Sequence, residues 1–318
     1  MHKRPYRVAI ITGPRHGGPL RWAKDLTEWI NRSGEAQATL ISKTTDIIHS
    51  QLFLKADIVH STVPITFRGW RTPLVLTVKG DYTIESPIWR PLYRIAIPWA
   101  NKLTVPSEYL RRQVPALRSA EVIPNAVDLR KFNTTNQGTN GPVRLVMVTN
   151  FWYADKIVGV KQVIDHYRKA VEETKIAANL TVVGTGKHLP EVQTYARQQS
   201  SPVTFTGWAD TKEILNDADV FLYSSNHDNM PNAVLEAMAC GLPVLTNRVG
   251  AIDEMITSEV DGLVVDTAEQ YQQELSKLLI DSDLRHKLGR AARERIEQDF
   301  SWERVVQRYL HIYRDLLK

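Results

Sequence analysis

Residues 219–250 read DVFLYSSNHDNMPNAVLEAMACGLPVLTNRVG, and this stretch decides the architecture. Val220, Phe221, Leu222 and Tyr223 form an apolar run of the length of a strand buried on both faces. A polar loop follows through Asn229. Pro231 stands where a helix begins and Gly241 where one stops. Pro243 and the apolar residues after it then start another strand. Strand, loop, helix, strand is the unit of a parallel sheet, whose neighbouring strands need crossover helices.

The alternation extends in both directions. Strands are predicted at 143–148 (VRLVMV), 179–183, 203–205, 219–223, 243–246 and 262–265, with helices at 160–174, 189–199, 211–216 and 232–239. Beyond residue 268 the chain reads as helical, with Leu275, Leu278 and Leu279 on one face. Upstream, residues 133–142 (NTTNQGTNGP) form a polar, turn-rich linker. Before it, 7–12 (RVAIIT) is a strand entering the glycine loop 13–18 (GPRHGG). Leu20, Ala23, Leu26, Trp29 and Ile30 then recur at helical spacing. Further strands are predicted at 57–61, 73–78, 102–106 and 122–124. The expectation is an α/β protein with two Rossmann-like, doubly wound parallel-sheet domains. Residues 1–135 form the first domain and 136–300 the second, with a helix over 301–318 returning to the first.

Composition narrows the class. The chain has 318 residues, 43% hydrophobic and 24% charged, which excludes disordered, collagenous and disulfide-rich scaffolds. The single Cys240 cannot form an internal disulfide, which fits a reducing compartment. No apolar run reaches the roughly 18–20 residues of a membrane span, and the first residues lack a signal-peptide pattern. Charge is uneven: residues 1–135 carry 20 Lys and Arg against 10 Asp and Glu, while the remainder carries 20 against 25. Segment 87–112 interleaves Trp89, Tyr93 and Trp99 with Arg90, Arg94, Lys102, Arg111 and Arg112. Such a face suits anionic lipid headgroups; the alternative is that Leu92, Ile95, Ala96 and Trp99 are core. No nucleic-acid motif accompanies the basic charge, so no nucleic-acid partner is expected.

The chemistry is expected beyond the carboxyl ends of the strands, where open parallel sheets bind ligands. A helix starting near Pro231 presents free backbone N–H groups and a partial positive charge, suited to phosphate. Asp228 in the loop and Glu236 on the helix would sit awkwardly there unless they bind hydroxyls. The alternative is that Asp228 caps a turn and Glu236 is solvated. The loop GPRHGG lacks the dinucleotide Gly-x-Gly-x-x-Gly spacing. The nine His and one Cys show no metal-ligand spacing, and no Asp-x-Asp stands at a strand end. No metal and no cofactor are expected. His16 and His60 are candidate acid–base groups, or simply loop and core residues.

At these residues the sequence resembles the retaining glycosyltransferases of family 4, which have the GT-B fold. Their donor motif reads approximately Glu-Gly-Phe-Pro-x4-Glu-Ala-Met-Ala-x-Gly-x-Pro-Val. It stands here as Asp228-Asn229-Met230-Pro231, four residues, and Glu236-Ala237-Met238-Ala239-Cys240-Gly241-Leu242-Pro243-Val244. Residues 123–128 (IPNAVD), Gly184-Thr185-Gly186, 203–208 (VTFTGW), 250–256 (GAIDEMI) and 300–302 (FSW) resemble further family motifs in the family's order.

The resemblance implies two domains facing across a cleft, and transfer of a sugar from a UDP-, GDP- or ADP-sugar to an acceptor hydroxyl with the anomeric configuration kept. The acceptor would be a sugar, a glycan, a lipid-linked molecule or a small molecule. Glu236 would bind the ribose and Asp228 the donor sugar. Backbone around Asn229, Met230, Pro231, Val234 and Leu235 would hold the sugar and diphosphate, and Gly184 and Gly186 would let the nucleotide approach closely. Lys156 would neutralise the leaving diphosphate. Gly17, Gly18 and Asp81 would lie on the acceptor side. The enzyme is expected in the cytoplasm, and the basic, aromatic face of segment 87–112 would make it peripheral at the inner membrane face.

Three departures stand out. Asn150 replaces the family's Arg, Asp228 is one methylene shorter than the usual Glu, and Lys79 stands where many members have His. Lys79 either supplies the missing charge or is a solvated loop residue. Two other readings stay open: a nucleotide-sugar epimerase or hydrolase on the same fold, and a binding protein without turnover.

Overall fold

In a computed structural model the chain forms two compact units, Met1–Ala126 with Trp302–Lys318, and Val127–Ser301. The structure describes residues 5–13, 18–43, 55–64, 72–85, 89–133 and 141–318. Most of the 133–142 linker, His16 and Gly17 therefore lie outside the described residues. The chain passes to the second unit at Val127, ahead of the polar stretch. There the Val127 N–H donates to the Phe300 carbonyl at 2.9 Å, and Val127 pairs with Ser301.

The first unit runs β1 (Tyr6–Ile11), α1 (Gly18–Ser33), β2 (Ala36–Ile41), β3 (Ile58–Ser61), β4 (Leu74–Thr77), α2 (Tyr82–Glu85), α3 (Trp89–Trp99), β5 (Lys102–Val105), α4 (Glu108–Gln113) and β6 (Glu121–Val122). Its strands form one sheet in the order β2-β1-β3-β4-β5-β6, every neighbouring pair parallel. β2 escapes the sequence reading for a physical reason. It is an edge strand whose small buried residues, Ala36 and Ala38, alternate with exposed Gln37 and Thr39, so it carries no bulky apolar run.

The second unit contains β7 (Val143–Val148), α5 (Ala154–Thr174), β8 (Ala178–Val183), α6 (Leu189–Gln198), β9 (Val203–Gly207), α7 (Thr211–Asn216), β10 (Val220–Tyr223), α8 (Asn232–Ala239), β11 (Val244–Asn247), α9 (Ile252–Met255), β12 (Leu263–Val265), α10 (Ala268–Ile280) and α11 (Ser282–Arg295). Its parallel sheet has the order β12-β11-β10-β7-β8-β9. Strand order runs outward in opposite directions from β7, so β7 and β10 flank a topological switch point. Ligands of such sheets bind beyond the strand ends at that point. The core joins Leu145 and Met147 of β7, Leu180 of β8 and Leu222 of β10 to Val160, Val163 and Ile164 of α5 and Leu275 and Leu278 of α10.

A last helix, α12 (Trp302–Leu316), belongs to the first unit. Its apolar stripe (Trp302, Val305, Val306, Tyr309, Leu310, Tyr313) packs with Trp22, Leu26 and Ile30 of α1 over Val8 and Ile10 of β1. A buried polar clasp crosses this core. His60 of β3 meets the Tyr313 hydroxyl through Nδ1 at 2.5 Å and Thr77 Oγ1 through Nε2 at 2.6 Å. Burial, with the nearby Lys79 charge second, pushes the His60 imidazole down to about 3. A neutral ring offers one donor and one acceptor, which serves its two partners. His60 is therefore a core residue. Among the described residues no helix is long and apolar enough to cross a membrane.

The clasp fixes an acid sensitivity. Because the native imidazole stays neutral down to about 3 while the unfolded one protonates near 6.5, its contribution is complete above about 6.5 and is lost as pH falls toward 3. The expected slope is up to about 1.4 kcal/mol per pH unit in that window. Urea unfolding at several pH values should show that slope, and His60→Asn should flatten it while lowering stability by about 1–3 kcal/mol.

Candidate functional site

The site grows from the end of β10. After Tyr223 the chain turns through Ser224 and Ser225, and Asn247 at the end of β11 grips that turn. Its Oδ1 accepts from the Ser225 N–H at 3.0 Å and its Nδ2 donates to the Ser225 carbonyl at 2.9 Å. From the other side Gly250 presses on the same loop. With φ at +57°, its position would place a Cβ 2.2 Å from the Asp228 carbonyl oxygen, so only glycine fits. The next N–H, of Ala251, donates to the Asn229 carbonyl at 2.7 Å. Loop 224–229 is thus held at two points from the neighbouring end of β11.

This hold presents Asp228 to Lys156. The lysine stands in the first turn of α5, and its ammonium donates to Asp228 Oδ2 at 2.6 Å, the His227 carbonyl at 2.9 Å and Ser225 Oγ at 3.1 Å. Tyr223 donates its hydroxyl to the same carboxylate oxygen, and Asp228 Oδ1 accepts from the Asn229 N–H at 2.8 Å. The Lys156 side chain is only 11% exposed, so its charge is fixed in place by these acceptors. Asp228 is more than a turn cap. Lys156 and Asp228 come together, and Tyr223, Ser225 and Asn247 are members of the cluster that the sequence reading missed. The available signal was polar residues at the ends of β10 and β11.

Directly after the loop, α8 begins. Met230, Pro231, Val234 and Leu235 are buried, so their side chains pack and only their backbone is available to a ligand. Pro231 occupies the N-cap position without a side-chain hydrogen bond, and the first turn carries no acidic residue. An N-terminus left without a side-chain cap retains its affinity for anions. Glu236 is 4% exposed on this helix, not solvated, and Thr211 Oγ1 of α7 lies 3.4 Å from its Oε2.

A second group gathers at the ends of β7, β8 and β9. Gly184 and Gly186 have φ of +147° and +151°, and a Cβ on them would lie 1.8 Å from the Thr149 carbonyl oxygen and 2.1 Å from the Phe151 carbonyl carbon. The 184–186 loop therefore lies directly on residues 149–152, joined by Phe151 N–H to the Thr185 carbonyl at 2.9 Å. Asn150 is exposed there, and its Oδ1 faces the Trp152 N–H at 3.3 Å. The Gly184 N–H also donates to the Gly207 carbonyl at 2.9 Å, which brings Trp208 beside the loop. Trp208 is 84% exposed and was assigned no role from sequence.

The remaining candidates belong to the first unit. Gly18 is the exposed first residue of α1. Asp81 caps α2, its Oδ1 accepting from the Thr83 N–H at 2.9 Å. Lys79 is no solvated loop lysine: its ammonium lies 4.3 Å from the Trp22 ring centroid and donates to Asn125 Oδ1. Desolvation pushes it down to about 7. Among the described residues no group of three or more His, Cys, Asp or Glu side chains is placed to hold a metal ion.

Comparison with known proteins gives this geometry a family. The model described as Glycosyltransferase Family 4 matches residues 1–131, and that described as Glycosyl transferases group 1 matches residues 142–281. N-acetyl-alpha-D-glucosaminyl L-malate synthase of Bacillus anthracis is 27% identical over 270 residues, spanning 79% of this chain and 70% of that protein. Among solved structures, sucrose-phosphate synthase of Thermosynechococcus elongatus superposes with a TM-score of 0.80 at 18% identity, covering 98% and 99% of the two chains. Anabaena HepE in complex with UDP and glucose gives 0.76 at 14% identity, covering 97% and 99%. The chain belongs to the family 4, group 1 glycosyltransferases and is a glycosyltransferase of GT-B fold.

Proposed function

We propose that this enzyme moves a sugar from a UDP-sugar to an acceptor hydroxyl and keeps the anomeric configuration. The observation that carries the reading is the fixed ammonium of Lys156 at the switch point of the second sheet, followed in the chain by an α8 N-terminus without a side-chain cap. A fixed cation and a helix dipole favour the charge that builds on a departing diphosphate. The acceptor hydroxyl would attack from the face the diphosphate leaves, and the diphosphate oxygen would take its proton. Asp228, already neutralised by Lys156, keeps acceptor capacity for a donor-sugar hydroxyl. Glu236 receives the ribose. The exposed Trp208 ring stacks on the base beside the 184–186 loop, whose glycines admit the nucleotide.

UDP is chosen because a solved relative of the same fold is bound to UDP and glucose. The acceptor is proposed as a sugar, glycan or lipid-linked hydroxyl on the first unit, near Gly17, Gly18 and Asp81. With Asn150 in place of an arginine, Lys79 is proposed as the second cation serving catalysis. Buried, unpaired Cys240 fits a reducing cytoplasm, and we assign the enzyme to the inner face of the membrane as a peripheral protein.

Thermal-shift screening of UDP-, GDP- and ADP-sugars, followed by proton NMR of the product, tests the whole reading. A UDP-sugar shift and a product with the donor's anomeric configuration are expected. Inverted product would sink the retaining assignment, and UDP-sugar consumed without any glycoside would mark a hydrolase or epimerase.

Substitutions at four residues test the individual roles. Lys156→Ala should lower kcat by about 100-fold or more with a much smaller change in donor affinity. Glu236→Ala and Trp208→Ala should each weaken UDP binding in calorimetry, Trp208→Ala by about 1–3 kcal/mol; unchanged affinity removes the assigned contact. If the Lys79 charge serves catalysis, kcat/KM should fall as pH rises through about 7, where the free enzyme loses that proton. Lys79→Arg should move this fall to higher pH.

A further inference from the structure

The proline-bearing helix α3 carries a surface that the transfer reaction does not use. Its sequence, WRPLYRIAIPW, contains no acidic residue. Tyr93, Ala96 and Ile97 turn inward, while Arg90, Pro91, Arg94, Ile95, Pro98 and Trp99 face out. The exposed residues fall on one continuous arc at helical spacing. Arg90 and Arg94 stand one turn apart on one edge, Ile95 and Trp99 one turn apart on the other. Ile95 is 55% and Trp99 54% exposed, and Ile84 of the preceding α2 is 66% exposed. This departs from the reading in which Ile95 and Trp99 are core.

The charges on this face differ from their neighbours. Arg111 is held by Glu108 at 2.7 Å and Lys102 by Glu121 at 2.9 Å. Among the described side chains no carboxylate forms a salt bridge with Arg90 or Arg94, and both charges act on the Tyr82 phenol. An apolar ridge ending in a tryptophan and flanked by exposed guanidiniums matches the layered chemistry of an anionic bilayer surface. A second copy of the chain fits less well, because a two-fold contact through this face would bring the same arginines together.

We propose that the outward face of α3, with Ile84, docks on anionic lipid. It rests on the reading of the enzyme as a peripheral membrane protein. Arg90 and Arg94 engage headgroup phosphates, while Ile95 and Trp99 enter the boundary between headgroups and acyl chains.

Flotation with vesicles of phosphatidylcholine, alone and with phosphatidylglycerol, tests this. The full chain should partition into the anionic vesicles, weakly into the neutral ones, and less as salt rises. R90Q with R94Q should lower the partition about thirty-fold, and I95S with W99S should lower it at unchanged charge. K287Q with R290Q, the same loss of charge on α11 of the second unit, should leave it intact. Equal binding to both vesicle types, equal loss in the α11 variant, or a self-association that W99S disperses would each overturn the proposal. The UDP-induced thermal shift, measured on every variant, separates the readings. If it persists without vesicle binding, only the lipid surface falls; if it is absent throughout, the UDP-sugar assignment falls instead.

Discussion

The ion pair between Lys156 and Asp228 is the constraint around which the second unit is built. Moving an ammonium out of water is costly, and the cost is offset only by good geometry and further hydrogen bonds. Here the Lys156 ammonium reaches a carboxylate at 2.6 Å, a carbonyl at 2.9 Å and a hydroxyl at 3.1 Å. Each of those acceptors belongs to loop 224–229, so the lysine dictates the loop's path. Asn247 and Gly250 close the loop from the next strand end, leaving few alternatives for its backbone. The pair that holds the loop is also the pair assigned to the reaction. A site built of fixed charges need not reorganise as charge develops on a substrate, which is the condition for strong electrostatic stabilisation.

The same logic explains which features could be read from the chain. Buried strands of a parallel sheet are apolar on both faces and announce themselves, as VRLVMV and DVFLY do. Pro231 and Gly241 mark the two ends of α8 through backbone chemistry alone, and the structure places a cap at Pro231 and a positive φ at Gly241. Asp228, Lys156 and the two glycines of the 184–186 loop were legible because their order matched a known motif set. β2 was illegible because an edge strand needs only half an apolar pattern. Tyr223, Ser225 and Asn247 were missed because their roles are set by which strand ends lie side by side, and sheet order is not written in local spacing.

Burial separates residues of the same type in ways a sequence cannot. Lys79 and Lys156 are both lysines after strand ends. One reaches a carboxylate; the other has an aromatic face and an amide oxygen, and its ammonium is pushed down to about 7. Neutral partners compensate desolvation less than a carboxylate does, so the charge of Lys79 comes to depend on pH near neutrality. His60 shows the extreme of this series, fully buried with a tyrosine and a threonine, and neutral across the physiological range.

His60 also bears on how the first unit becomes complete. The inner face of its sheet carries Val8, Ile10, Ile58 and Val75, and α1 covers this face together with α12. Trp302, Tyr309 and Tyr313 are among the largest fully buried side chains, yet they lie more than 220 residues beyond β4, the last of the strands they help to cover. Without them, the apolar surface of β1, β3 and α1 is left open and His60 loses its Tyr313 partner. An imidazole at the bottom of a half-built core would meet water and protonate near its ordinary value. The first 126 residues therefore encode a sheet but not a closed core. That unit can reach its full stability only after the second unit's segment has been made and the C-terminal helix has docked.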